Sequence, residues 1–103
     1  MEKRVYISGK ITGIEADARV LFLAAELRLL GLGFEVVNPM GLPHGHDGSW
    51  ESFMREDLKA MCDCGVIYML RNWRESRGAI IEHSIALLLG MVVLYEVSDG
   101  QNG

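Results

Sequence analysis

Short β-branched and aromatic runs alternate along the chain with longer stretches whose apolar residues recur at three and four, so strands are expected to alternate with helices. Val5 to Ser8 is the first β-rich run. A turn-forming segment with Gly9 and Gly13 follows, in which Thr12 and Glu15 stand at capping-box spacing. A helical stripe then runs through Val20, Leu23, Ala24, Leu27 and Leu30, ended by Gly31 and Gly33. Phe34 to Val37 predicts a second strand, stopped by Asn38 and Pro39. Met40 to Gly48 has the composition of a loop and is the longest irregular stretch. Ser49 is positioned to cap a helix from Trp50 to about Asp63. Val66 to Leu70 predicts a third strand, Arg71 to Ser76 a second loop, Gly78 to Leu89 a helix and Met91 to Val97 a last strand. Residues 98–103 are expected to form a flexible C-terminal tail behind a single domain of residues 1–97.

Parallel neighbours need crossover connections, and those are right-handed. The alternation therefore predicts an α/β fold, a three-layer doubly wound parallel sheet of the flavodoxin-like kind, with four strands in the order 2-1-3-4. Ligands of such sheets bind beyond the carboxyl ends of the strands, where the order reverses. Here that means the loops after Ser8 and after Leu70.

Glu82 interrupts the most apolar helical stretch, and its neighbours at three and four residues are Gly78, Ala79, Ile85 and Ala86. An ionised carboxylate buried there costs several kcal/mol unless it is paired, hydrogen-bonded or shifted in pKa. Asp57 repeats the pattern in the preceding helix, on a seam with Trp50, Met54, Met61 and Cys64. Each acid could instead cap a helix, pair with Arg55 or Arg77, or face a dimer contact. Two inward acids flanking the expected ligand crevice favour a site.

The chain has 103 residues, a formal charge of −4 and half its residues apolar, enough for one domain with a modest core. No Lys/Arg cluster suits polymeric nucleic acid as a partner. No signal peptide is evident, and the apolar run from Ile85 to Tyr95, broken by Gly90, is too short for a bilayer. A soluble cytoplasmic protein without a membrane partner is expected. Cys62 and Cys64 are too close to bridge each other readily, and their spacing from His44 and His46 fits no familiar zinc module. Cys64 reads as core filler, and neither a metal nor a cofactor is expected. The loop Ser8-Gly9-Lys10-Ile11-Thr12-Gly13 offers backbone N–H groups, a helix N-terminus and one lysine, which suit a phosphate or a sugar hydroxyl. It matches neither the Walker A pattern nor the dinucleotide fingerprint.

Val5-Tyr6-Ile7-Ser8-Gly9, the Glu56-Asp57-Leu58 step before a strand, and Ser76-Arg77-Gly78 leading to Glu82 resemble the nucleoside 2-deoxyribosyltransferase superfamily. The closer likeness is to the small 2′-deoxynucleoside 5′-monophosphate N-hydrolases and to short uncharacterised relatives often found in phages and prophages. It runs from about Val5 to Val97. The resemblance implies that Glu82 attacks the anomeric carbon of the deoxyribose and forms a covalent glycosyl intermediate. By the same likeness Asp57 contacts the sugar or assists the base, and Tyr6 positions the glutamate. Ser8, Gly9, Lys10, Ile11, Thr12 and Gly13 match the loop that cradles sugar and 5′-phosphate, and Ser76 with Gly78 a second phosphate contact. Where the hydrolases carry an arginine in the first loop, this chain has Lys10 or Thr12. A homodimer or higher homo-oligomer is also implied.

A carboxylate near the anomeric carbon suits cleavage of an N-glycosidic bond, because positive charge develops on the sugar. The expected dipole of its helix would help keep Glu82 ionised. The expected partner is a nucleoside or nucleotide, and the expected activity hydrolysis or transfer at its N-glycosidic bond. A catalytically silent nucleotide-binding module of the same fold is the alternative. Trp73, in the second loop, could stack on a base, whereas Trp50 reads as core. His44 and His46 could reach over the site or stay solvated, and His83 faces away from Glu82. Arg74 and Arg77 could attract a phosphate, or pair with Glu75 and a helix end.

Overall fold

The computed structural model describes residues 3–42 and 48–97. The chain runs β1 (Arg4–Ser8), α1 (Glu15–Gly31), β2 (Glu35–Val37), α2 (Trp50–Cys62), β3 (Val66–Met69), α3 (Arg77–Leu88) and β4 (Val92–Tyr95). Short 3₁₀ turns at Pro39–Gly41 and Trp73–Glu75 lie within the two long connections. All three strand pairings are parallel, in the order β2-β1-β3-β4. The doubly wound sheet expected from the alternation is the fold, and the element boundaries differ from expectation by one or two residues. His44 and His46, and the expected tail of residues 98–103, lie outside the described residues.

The two central strands are buried on both faces, which is why their sequences read as continuous apolar runs rather than alternating ones. Val5, Ile7, Val66, Tyr68 and Leu70 pack against α1, and Tyr6, Ile67 and Met69 against residues of α2 and α3. Pairing of Val5 with Val66 and Ser8 with Met69 brings the carboxyl ends of β1 and β3 level.

The packed face of α1 is Ala18, Phe22, Ala25 and Leu29, not the stripe that its periodicity singles out. Val20, Leu23, Ala24, Leu27 and Leu30 all face outward. Leucines surround this helix, so spacing alone selects no face. The inward position goes to the side with two alanines, a choice consistent with close approach of helix and sheet. Nor does the expected capping box form. The helix starts at Glu15, its N-cap Ile14 has no side-chain bond to offer, and Glu15 reaches back to the Gly13 N–H instead. Helix α2 does carry its expected cap, with Ser49 Oγ accepting from the Ser52 N–H at 3.1 Å. After α1 the chain reverses through Gly33 at φ +94°, a left-handed conformation that costs glycine little.

Gly9 is held by a close approach rather than by its dihedral angles. A methyl group there would stand 2.7 Å from Leu70 Cδ1 and 2.9 Å from Leu70 Cβ, and Leu70 is itself buried at the end of β3. Gly78 differs, because its added methyl would meet the flexible Met54 Sδ at 3.0 Å. Gly9→Ala is accordingly expected to lower the unfolding free energy by about 1–3 kcal/mol. Gly78→Ala should cost less, and urea denaturation midpoints of the two variants measure the contrast.

Candidate active site

Strand alternation sends Tyr6 and Ser8 to the side of the sheet that α2 and α3 cover, while Val5 and Ile7 point towards α1. Both hydroxyls end on one carboxylate. Tyr6 Oη donates to Glu82 Oε2 at 3.0 Å, and Ser8 Oγ donates to Glu82 Oε1 at 2.6 Å. Glu82 is 5% exposed, and Tyr6 and Ser8 are more deeply buried still. The acid thus has a hydroxyl donor on each oxygen. Arg55 donates to Ser52 Oγ at 3.4 Å, and the Arg77 guanidinium lies 4.1 Å from the Trp50 ring centroid.

Burial pushes the Glu82 carboxyl up to about 7, with the negative charge of Asp57 adding to the rise. The bonds from Ser8 and Tyr6 act the other way, because they favour the charged form. Helix α3 begins at Arg77, capped by Ser76 Oγ accepting from the Ala79 N–H at 3.1 Å. Glu82 therefore stands beyond its first turn, where the dipole has faded, and desolvation outweighs the help expected from it. Burial, followed by the charges of Glu82 and Asp57, raises the Tyr6 phenol well above its usual range. Tyr6 consequently remains a proton donor at any ordinary pH.

The carboxylate opens into a cavity of about 240 Å³ at the carboxyl end of β1. Ser8, Gly9, Ile11 and Thr12 from the first loop line it, with Asp57 and Met54 from α2 and Ser76, Gly78 and Glu82 from the start of α3. Nine of the residues singled out by sequence therefore converge: Tyr6, Ser8, Gly9, Ile11, Thr12, Asp57, Ser76, Gly78 and Glu82.

Three expected contacts lie elsewhere. Lys10 Nζ is 3.6 Å from Glu75 Oε1, and its backbone N–H donates to Asn72 Oδ1 at 3.0 Å, so it does not line the cavity. The Gly13 N–H is taken by Glu15 Oε2 at 3.1 Å. Trp73 is buried against His83, with ring centroids 4.2 Å apart, and joins Tyr95 around a separate hollow that includes Arg71, Arg74 and Glu96. Its indole stacks on its own protein and is not part of the Glu82 cavity's lining. Trp50, read as core, is a half-buried wall of the cavity instead. Glu15, Phe22, Pro39 and Phe53 also line it without having been read from the sequence as site residues. The spacing of Thr12 and Glu15 held the signal for Glu15, but as a capping pattern it concealed a side chain beside the pocket. Cys64 fills the core and Cys62 is exposed, and among the described residues no cluster of His, Cys, Asp and Glu is arranged to hold a metal ion. Among them, too, no helix is long and apolar enough to cross a membrane.

Residues 3–95 match the family described as Domain of unknown function (DUF4406), and the chain belongs to that family. No curated protein matches it.

The raised carboxyl of Glu82 has a consequence for stability. Between the ordinary value of 4.5 and about 7 the folded chain keeps a proton at Glu82 that the unfolded chain has lost. Stability contributed at this position thus falls as pH rises through that window, and the loss is complete above it. The stability difference between wild type and Glu82→Gln is expected to move against the wild type, on the order of 3 kcal/mol from about pH 4 to about pH 8. Urea denaturation across that range tests it, and an unchanged difference would remove burial as the cause.

Proposed function

We propose that the protein hydrolyses, or transfers at, the N-glycosidic bond of a deoxynucleoside or its 5′-monophosphate, with Glu82 as nucleophile. The observation that carries the reading is the buried carboxylate facing a small cavity, gripped by two hydroxyls and flanked by a second acid. The likeness of the segments around Tyr6, Asp57 and Glu82 to nucleoside 2-deoxyribosyltransferases supports it further.

In the first step a Glu82 oxygen bonds to the anomeric carbon as the carbon–nitrogen bond breaks, and the base departs with the bonding electron pair. Asp57, which lines the cavity, manages the proton that the departing nitrogen takes up, or anchors the sugar. In the second step water, or a second base, attacks the same carbon and releases the carboxylate. Tyr6 and Ser8 hold both oxygens of Glu82 in one orientation throughout, so that little reorganisation is needed when the sugar acquires positive charge. Their hydrogen bonds also keep a useful fraction of Glu82 ionised near neutrality, against the pull of burial. The same reading includes a homo-oligomer, for which the outward leucines of α1 and α3 supply apolar surface.

Incubation with a panel of deoxynucleosides and their monophosphates, followed by chromatography for free base, tests the proposal. Base release by the wild type is expected to drop at least about a thousandfold in Glu82→Gln. Because the nucleophile must be ionised, kcat/KM should climb with pH and level off above about 7. Ser8→Ala removes a bond that favours the charged form, so the midpoint of its profile should move to higher pH. Equal ligand binding without base release in wild type and Glu82→Gln would replace the enzyme with a nucleotide-binding module.

A further inference from the structure

The first loop of a doubly wound domain is where a phosphate ordinarily finds free backbone N–H groups and a helix N-terminus. In this chain a carboxylate is already there. Glu15 Oε2 accepts from the Gly13 N–H at 3.1 Å, in the first turn of α1. Bonds from Gly13 and from its own N–H hold the Glu15 carboxyl below the usual carboxylate range. A phosphate arriving at the same loop would have to displace a charge of its own sign that belongs to the fold.

Among the described residues the lining of the cavity supplies no cationic side chain. Glu15, Asp57 and Glu82 all line it, while its described lining residues include no lysine, arginine or histidine. Lys10 turns to Glu75, and Arg77 stacks on the Trp50 ring. At the start of α3 the Ser76 hydroxyl already takes the Ala79 N–H.

We propose that Glu15 is a specificity-determining residue that closes this cavity to 5′-phosphorylated substrates, so that the molecule it admits is the uncharged nucleoside. The proposal rests on the N-glycosidic reading for its substrate class. A phosphate monoester brings about −1.5 to −2 charge at neutral pH, and placing it among these carboxylates selects against it by repulsion.

The test compares one deoxynucleoside with its 5′-monophosphate, by base release and by calorimetric binding, in wild type, Glu15→Gln and Glu15→Lys. Glutamine keeps an acceptor for the Gly13 N–H, so the fold is preserved while the charge is removed. Wild type is expected to favour the nucleoside by at least about tenfold. That ratio should narrow severalfold in Glu15→Gln and further in Glu15→Lys, and added salt should narrow it in the wild type. Preference of the wild type for the monophosphate, or a ratio indifferent to both substitutions, overturns the proposal. If no base is released from either compound but binding still favours the nucleoside in a Glu15-dependent way, charge selection stands and the N-glycosidic reading falls. Binding of neither compound overturns both.

Discussion

A carboxylate stripped of nearly all its water survives in this fold because two hydroxyls of the central strand donate to it, one to each oxygen. Desolvation raises its proton affinity, the hydroxyls lower it, and the balance falls at about 7. Either influence alone would hold the group in a single protonation state near neutrality. Full burial without donors would keep the acid protonated, whereas open solvation would keep it ionised but weakly oriented. The rest of the site follows from satisfying this one group: Tyr6 and Ser8 must be two residues apart on a strand, and α3 must cross the face to which they point.

Much of this was legible in the chain. Continuous apolar runs in β1 and β3, alternating with long helical stretches, are what a sheet buried on both faces requires, and they yielded strand order as well as element type. Glu82 stood out because a carboxylate among glycine, alanine and isoleucine has few inexpensive explanations. Periodicity was a weaker guide to helix orientation. With leucines on several sides of α1, the face that packs is decided by small side chains and by the contour of the sheet, neither of which a spacing rule weighs. The rim of the pocket was harder still. Lys10 and Trp73 sit in the correct loops, yet Glu75 draws one away and the rings of His83 and Tyr95 the other. Competing partners of that kind are set by three-dimensional proximity and leave little trace in local sequence.

Charge is distributed unevenly around the crevice. The described residues lining it contribute carboxylates, while Lys10 and Arg74 are engaged by Glu75 and the Trp73 indole outside it and Arg77 by the indole of Trp50 in its wall. Each aromatic thereby serves two purposes, filling space on one side and accommodating a guanidinium on the other. A negative crevice in a chain of net charge −4 also disfavours accumulation of anions in general, before any particular contact is considered.

Tyr6 and Ser8 lie near one end of the chain, and Glu82 lies 76 and 74 residues further on. A ribosome-bound chain that has not yet released α3 consequently exposes two hydroxyls without the carboxylate they grip. The buried cluster assembles only when the distant helix docks, so a half-made or clipped molecule lacks it altogether.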